Sequence, residues 1–354
     1  AAELREWTFQ NGDVRMLSLE NAYGDMAYFS DKKGNPLSGP ITMFADADQA
    51  EIVYWSRQRD KAFTAGDTAP SDFTRQFRKD ARRLRDGRLA REDWSEQVEP
   101  EFYGIYTSAG WCGPCRRFTP KLVQTYDLYK TIHQGRFEVL FCSSDENLGE
   151  MIEYMEKEEM AWYGNWAKRK SDYWQDYQGN GIPNLVIVDR NGYVLKSSYV
   201  GGEYTGPNEA MNELTRLLAY TNPGSGGRLS VPVPGVDMGK LRQAIREKQE
   251  LALAEGSKKA LSLVHNPKAM LAAMEDPDAP EVSLRMTVSI SELGVVTGVR
   301  IEDDNYRHLD EQFYKATLLW QFMPAVGQNG ETHNANAILP VRMKLKEALL
   351  SPPG

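Results

Sequence analysis

Cysteine and histidine are scarce in this chain, at three and four of 354 residues. A structural zinc site needs four nitrogen, sulfur or oxygen ligands. Beyond one Cys-x-x-Cys pair the sequence offers only Cys142 and His133, His265, His308 and His333, which show no ligand spacing. Neither a metal nor a cofactor is therefore expected. No stretch approaches the ~18 consecutive apolar residues of a membrane helix. Positive charge is in deficit, with 42 Lys and Arg against 50 Asp and Glu. The net charge of −8 argues against a general nucleic-acid binder, which needs a basic face. An apolar fraction of 41% suffices for packed cores, and the length predicts two or three domains.

What is present is concentrated in Trp111-Cys112-Gly113-Pro114-Cys115. The two thiols stand one helical turn apart, the spacing of a reversible dithiol/disulfide switch. If a helix starts at the first cysteine, its unpaired N–H groups and dipole favour thiolate over thiol. The second cysteine is then close enough to close the ring and expel a bound partner. Pro114, early in the first turn, has no N–H to leave unpaired and presets the helical φ. Half a zinc site remains the alternative, disfavoured by the missing ligands.

The flanking pattern is α/β. Phe102–Thr107 reads as a buried strand, Arg116–Tyr129 as a helix, and Phe137–Cys142 as a second buried strand, giving β-α-β with a right-handed crossover. Gly181-Ile182-Pro183-Asn184 precedes a strand at Leu185–Val188, and Asp189–Gly192 turns it into Tyr193–Leu195. A proline placed there is a candidate for a cis peptide. Cys142, inside a strand, reads as a buried inert thiol.

Three stretches carry a resemblance: Ser108–Pro120, Phe141-Cys142-Ser143-Ser144-Asp145 and Gly181–Leu185. The region from about Glu101 to Ala219 resembles a thioredoxin-fold domain, and within that superfamily tryparedoxin and nucleoredoxin. The resemblance implies that Cys112 attacks, Cys115 resolves, and Pro183 is the cis-proline facing the disulfide. It also implies roles around the site for Trp111, Gly113, Pro114 and Ile182. Two departures stand out. Tryparedoxins usually carry Pro-Pro between the cysteines, where this chain has Gly-Pro. The buried acid that thioredoxins place on the strand before the motif is absent, and Tyr106 is the nearest residue to its place.

At the N-terminus, Arg5-Glu6-Trp7-Thr8, turns at Asn11-Gly12 and Lys33–Pro36, short strands at Val14–Leu19 and Met26–Phe29, and an acid-capped helix at Asp46–Trp55 suggest a small barrel. This pattern resembles the SLA-one homology domain, an SH3-like β module, with Trp7 in its core. The arginine-rich run between Asp67 and Glu99 reads as a solvated helix face neutralised by neighbouring acids. Thr221–Gly227 reads as a flexible linker. Beyond it come a helix over Asp237–Glu255 stopped by Gly256, strands at Val282–Ile290 and Val295–Ile301, a helix at Leu309–Trp320 and a strand at Ala337–Leu345. This α+β, ββαβ order resembles the C-terminal domain of TonB, which implies a binding fold that can also serve dimerisation. Trp320 and Phe322 are expected in its core.

The expected division is 1–60 (SLA-one-like), 61–100 (charged helical connector), 101–220 (thioredoxin-like), 221–235 (linker) and 236–354 (helix plus TonB-like domain). The expected activity is protein thiol–disulfide exchange, fed by an upstream redox partner. The alternative is a scaffold whose thiols are structural. A peroxidase would need a peroxidatic cysteine in its own family context, and none is seen. The combination of modules implies a mature periplasmic or secreted chain, the cytoplasm being left open.

Overall fold

The computed structural model describes residues 3–65, 69–95, 97–133, 135–166, 172–220, 229–255, 262–265, 267 and 269–350. The linker expected at Thr221–Gly227 and the helix stop expected at Gly256 lie outside the described residues. The chain forms two compact units, one from Ala1–Asp67 with Tyr220–Gly354, the other from Thr68–Ala219.

The first unit opens with an antiparallel meander of β1 (Leu4–Thr8), β2 (Val14–Tyr23), β3 (Met26–Ser30) and β4 (Pro36–Pro40), closed by helix α1 (Asp46–Ala65). Trp7 is buried, and its indole N–H donates to the Leu17 carbonyl at 3.0 Å. The Arg5 guanidinium lies 3.9 Å above the Trp7 ring and pairs with Asp48, whose other oxygen accepts the Thr8 N–H at 2.8 Å. One acid in the first turn of α1 thereby ties helix to strand.

The second unit runs through α2 (Asp72–Asp80), β5 (Arg82–Arg85), β6 (Arg88–Ala90), β7 (Phe102–Ser108), α3 (Gly113–His133), β8 (Phe137–Ser143), α4 (Leu148–Lys157) and β9 (Tyr163–Asn165). It continues with β10 (Asn184–Asp189), β11 (Val194–Ser197), the short pair β12 (Tyr199–Val200) and β13 (Glu203–Tyr204), and α5 (Pro207–Tyr220). Seven strands form one sheet in the order β11-β10-β7-β8-β9-β5-β6. β7, β8 and β9 are parallel and the other pairings are antiparallel. Every residue of β7, β8 and β10 is buried, which explains their continuous apolar runs.

The arginine-rich segment is part of this unit. Ser71 caps α2 by accepting the Thr74 N–H, and Phe73 and Phe77, one turn apart, are each 1% exposed in a core with Tyr103, Ile105, Leu140 and Cys142. The arginines divide. Arg83 lies over the Tyr163 ring and bonds Glu92, while Arg88 and Arg91 are exposed.

The first unit resumes with α6 (Met238–Glu255), β14 (Ser262–His265), α7 (Ala269–Ala272), β15 (Val282–Ile290), β16 (Val296–Ile301), α8 (Asp310–Thr317), β17 (Gln321–Met323), β18 (Ala325–Val326), β19 (Thr332–His333) and β20 (Ala335–Met343). β15 is the central strand of an antiparallel β16-β15-β20 sheet, and its Leu284, Met286, Val288 and Ile290 are buried on one face. Trp320 and Phe322 are buried in the same core. Helix α8 ends three residues before the expected Trp320. The Trp320 N–H turns back to the Thr317 carbonyl, and the freed Leu318 and Leu319 enter the N-terminal core beside Trp7, Ile52 and Val53. The two terminal segments, read from sequence as separate modules, thus share a core here.

Candidate active site

The disulfide sits where β7 ends and α3 begins. Cys112 directly precedes the first helical residue, Gly113, and its carbonyl accepts the Arg116 N–H at 3.1 Å. Its Sγ in turn accepts the Cys115 N–H at 3.2 Å. The sulfur thus occupies the place of a helix N-cap acceptor, where orphan N–H groups and the helix dipole stabilise negative charge. Pro114 falls between them, at a position whose missing N–H leaves nothing unsatisfied. Cys112 and Cys115 are joined, with 5.2 Å between their Cα atoms.

The two sulfurs differ in access. Cys112 is 5% exposed and Cys115 fully buried, so of the two residues only Cys112 reaches the surface. Ala109 and Ile182 pack with the pair. The Ile182–Pro183 peptide is cis, and the Ile182 carbonyl oxygen lies 3.8 Å from Cys112 Sγ. Tyr204 on β13 donates its hydroxyl to the Pro183 carbonyl at 3.0 Å. Gly113 is half-buried and Pro114 exposed. Trp111 is 62% exposed, its indole N–H 3.4 Å from the Ser144 carbonyl. The structure therefore gathers Trp111, Cys112, Gly113, Pro114, Cys115, Ile182 and Pro183 at one end of the sheet. Tyr106 lies within the sheet beneath α3.

Three further residues were not singled out from sequence. Asp145, 1% exposed, accepts the Gly110 N–H at 2.7 Å and the Ser143 hydroxyl at 2.7 Å, fixing the loop before Trp111. Thr119 and Tyr154 hold Tyr106. The Tyr106 hydroxyl lies 2.8 Å from Thr119 Oγ1, which is 2.6 Å from the Tyr154 hydroxyl. Burial pushes the Tyr106 phenol well above its ordinary range, so this network is neutral. Asp145 and Thr119 sit in stretches already conspicuous in the sequence, Ser143-Ser144-Asp145 and Phe118-Thr119-Pro120. Tyr154, on α4, had no local signal.

A cleft of about 190 Å³ opens beside Trp111, lined by Gly110, Arg116, Asp145, Glu150, Glu153, Tyr154 and Lys157. Cys142 is fully buried in the α2-side core, and burial pushes its thiol up to about 12. Among the described residues no group of three or more His, Cys, Asp or Glu is placed to hold a metal. Among them, too, no helix is long and apolar enough to cross a membrane.

Residues 100–194 match a thioredoxin-like family model. Probable nucleoredoxin 1 of Arabidopsis thaliana is 37% identical over 101 residues, which are 28% of this chain and 17% of that protein. Nucleoredoxin of Danio rerio is 35% identical over 105 residues, 28% of this chain and 24% of its own. Tryparedoxin I from Leishmania major aligns over 39% of this chain and 88% of its own at 22% identity, with a TM-score of 0.30. The chain thus spans about a fifth of the length of the nucleoredoxins it matches. Over the segment carrying the disulfide, the chain is thus similar to the thioredoxin-like family and to nucleoredoxin.

Proposed function

We propose that this chain is a thiol–disulfide oxidoreductase acting on protein disulfides through Cys112 and Cys115. The observation that carries the reading is the placement of Cys112 Sγ at the start of α3, on the open side of a pair whose other sulfur is buried. In the reduced protein the Cys112 thiolate attacks a partner disulfide and forms a mixed disulfide, and one partner sulfur leaves as thiolate. Cys115 then attacks Cys112 Sγ, which re-forms the intramolecular disulfide and releases the second partner thiol. The partner is reduced by two electrons and the pair is oxidised; an upstream dithiol donor restores it. Trp111 shields the site, and the backbone at Ile182-Pro183 pairs with an extended partner segment. Run backwards, the same cycle oxidises the partner.

The first unit contributes no thiol chemistry, because all three cysteines lie within Thr68–Ala219. Its role in this reading is to bind partners, through segments with likeness to the SLA-one homology domain and to the TonB C-terminal domain. The meander followed by a helix and the β16-β15-β20 sheet beside α8 support that likeness. An envelope location belongs to the same proposal, and fractionation of the native host tests it.

The activity is tested by insulin reduction with dithiothreitol as donor. The intact protein should accelerate turnover, Cys112→Ser should abolish the acceleration, and Cys115→Ser should trap a mixed disulfide on Cys112. Full turnover by Cys112→Ser removes it as nucleophile. An inert wild-type protein with unreactive Cys112 leaves a scaffold whose disulfide is structural.

A further inference from the structure

Where a buried acid would stand on the strand before the motif, this domain has a knot of four hydroxyls. Tyr106 on β7, Thr119 on α3, and Tyr154 on α4 with Ser108 at the end of β7 are all buried. Thr119 Oγ1 contacts three groups: the Cys115 carbonyl at 3.0 Å, the Tyr106 hydroxyl at 2.8 Å and the Tyr154 hydroxyl at 2.6 Å. Ser108 Oγ lies 3.2 Å from the Tyr154 hydroxyl.

Proton counting fixes the direction of every bond. A carbonyl cannot donate, so Thr119 gives its single proton to the Cys115 carbonyl. Both tyrosines must then donate to Thr119 Oγ1, filling its two lone pairs. Tyr154 has spent its proton, so Ser108 donates to Tyr154. The chain of bonds converges on one atom, the backbone oxygen of the resolving cysteine.

That convergence matters because the next residue, Pro120, lies inside α3. Proline brings no N–H, so the Arg116 carbonyl loses its helical partner, and the ring crowds that carbonyl. The turn bearing both cysteines is thus weakly coupled to the rest of α3. Thr119 offsets this by tying Cys115 to its own helix, to β7 through Tyr106 and to α4 through Tyr154. Gly110 lets α4 come this near, since a Cβ there would lie 3.2 Å from Tyr154 Cβ.

We propose that Thr119 is a positioning residue for the second half of the exchange. It holds Cys115 where its sulfur can attack Cys112 Sγ in the mixed disulfide. This rests on the oxidoreductase reading and adds which residue sets the partition between resolving and stalling. In the step concerned, the Cys115 thiol loses its proton to solvent and its sulfur bonds to Cys112 Sγ. The Cys112–partner bond breaks, and its electron pair leaves on the partner sulfur, which takes up a proton.

The test follows the mixed disulfide formed between reduced full-length protein and a peptide disulfide carrying a chromophoric thiol, with quenching by acid. Thr119→Val, of similar shape but without the hydroxyl, should slow the resolving step by at least about tenfold, the scale expected for sub-ångström misplacement of a reacting group. Alkylation of Cys112 by iodoacetamide should keep its rate, and Thr119→Ser should restore resolution. Tyr154→Phe, which removes one anchor at the cleft wall, is the second variant should Thr119→Val not fold, and it should stall resolution in the same sense. Resolution at the wild-type rate in a folded Thr119→Val or Tyr154→Phe protein overturns the proposal. Absence of any mixed disulfide in the wild type overturns the oxidoreductase reading instead, so the two failures are distinct.

Discussion

Burial raises the Cys142 thiol from an ordinary 9.0 to about 12, so the folded protein keeps it protonated where the unfolded chain would ionise it. A raised folded value contributes stability that is complete below pH 9 and is lost as pH climbs toward 12. In that window one such group adds a slope of about −1.4 kcal/mol per pH unit to unfolding stability. The buried phenols of Tyr103, Tyr106 and Tyr126 are also raised by burial and act with the same sign above their ordinary 10.0. Urea melts at pH 8 and pH 10.5 should therefore show lower stability at the higher pH, and Cys142→Ala should shrink the difference. An unchanged difference in that variant would contradict the assignment. In the native reduced protein at pH 8, mass spectrometry after iodoacetamide should find Cys142 unlabelled.

At the level of elements, the motif-bearing part was legible and its support was not. β7, α3, β8 and β10 follow from continuous apolar runs, a helix-starting motif and a turn at Asp189–Gly192, because such strands are buried on both faces and leave no polar residues to blur the pattern. Helix α2 and the β5–β6 hairpin were hidden by their arginines. Yet Phe73 and Phe77 stand at i and i+4, and Asp86-Gly87 is a hairpin dipeptide whose residues both adopt positive φ, 49° and 72°. The knot around Thr119 was out of reach, since its members come from three elements and nothing local marks Tyr154. The consequence is that the family-matched segment 100–194 does not hold the whole core. Phe77 packs edge-on to Tyr163, with ring centroids 5.7 Å apart, and beside Tyr103. Phe77→Ala should cost about 3–5 kcal/mol, the range for deleting a buried aromatic ring. A urea midpoint within error of wild type would show that α2 merely rests on the domain.

In sequence, the continuous unit Thr68–Ala219 interrupts the other unit, and that discontinuity has a physical signature within the interrupted unit. Helix α1 and the N-terminal meander cannot bury Ala50, Ile52 and Val53 by themselves; Val231, Leu318 and Leu319 complete that core from the far end of the chain. Polar ties cross the same seam, from Arg57 to the Val231 carbonyl at 2.6 Å, from the Ser230 hydroxyl to Asp60 at 2.7 Å, and from the Tyr54 hydroxyl to Glu311 at 2.9 Å. Groups that share one core unfold together. Leu319→Ala should therefore lower the stability of the N-terminal meander by about 2–5 kcal/mol, although no residue of that meander is altered. Amide exchange reads this directly. Protection should fall in β2 and β3 in step with β15 and β20, while β7 and β8, in the other unit, keep theirs. If β2 and β3 hold wild-type protection while β15 and β20 loosen, the termini are two separate modules, as their sequence patterns alone suggest.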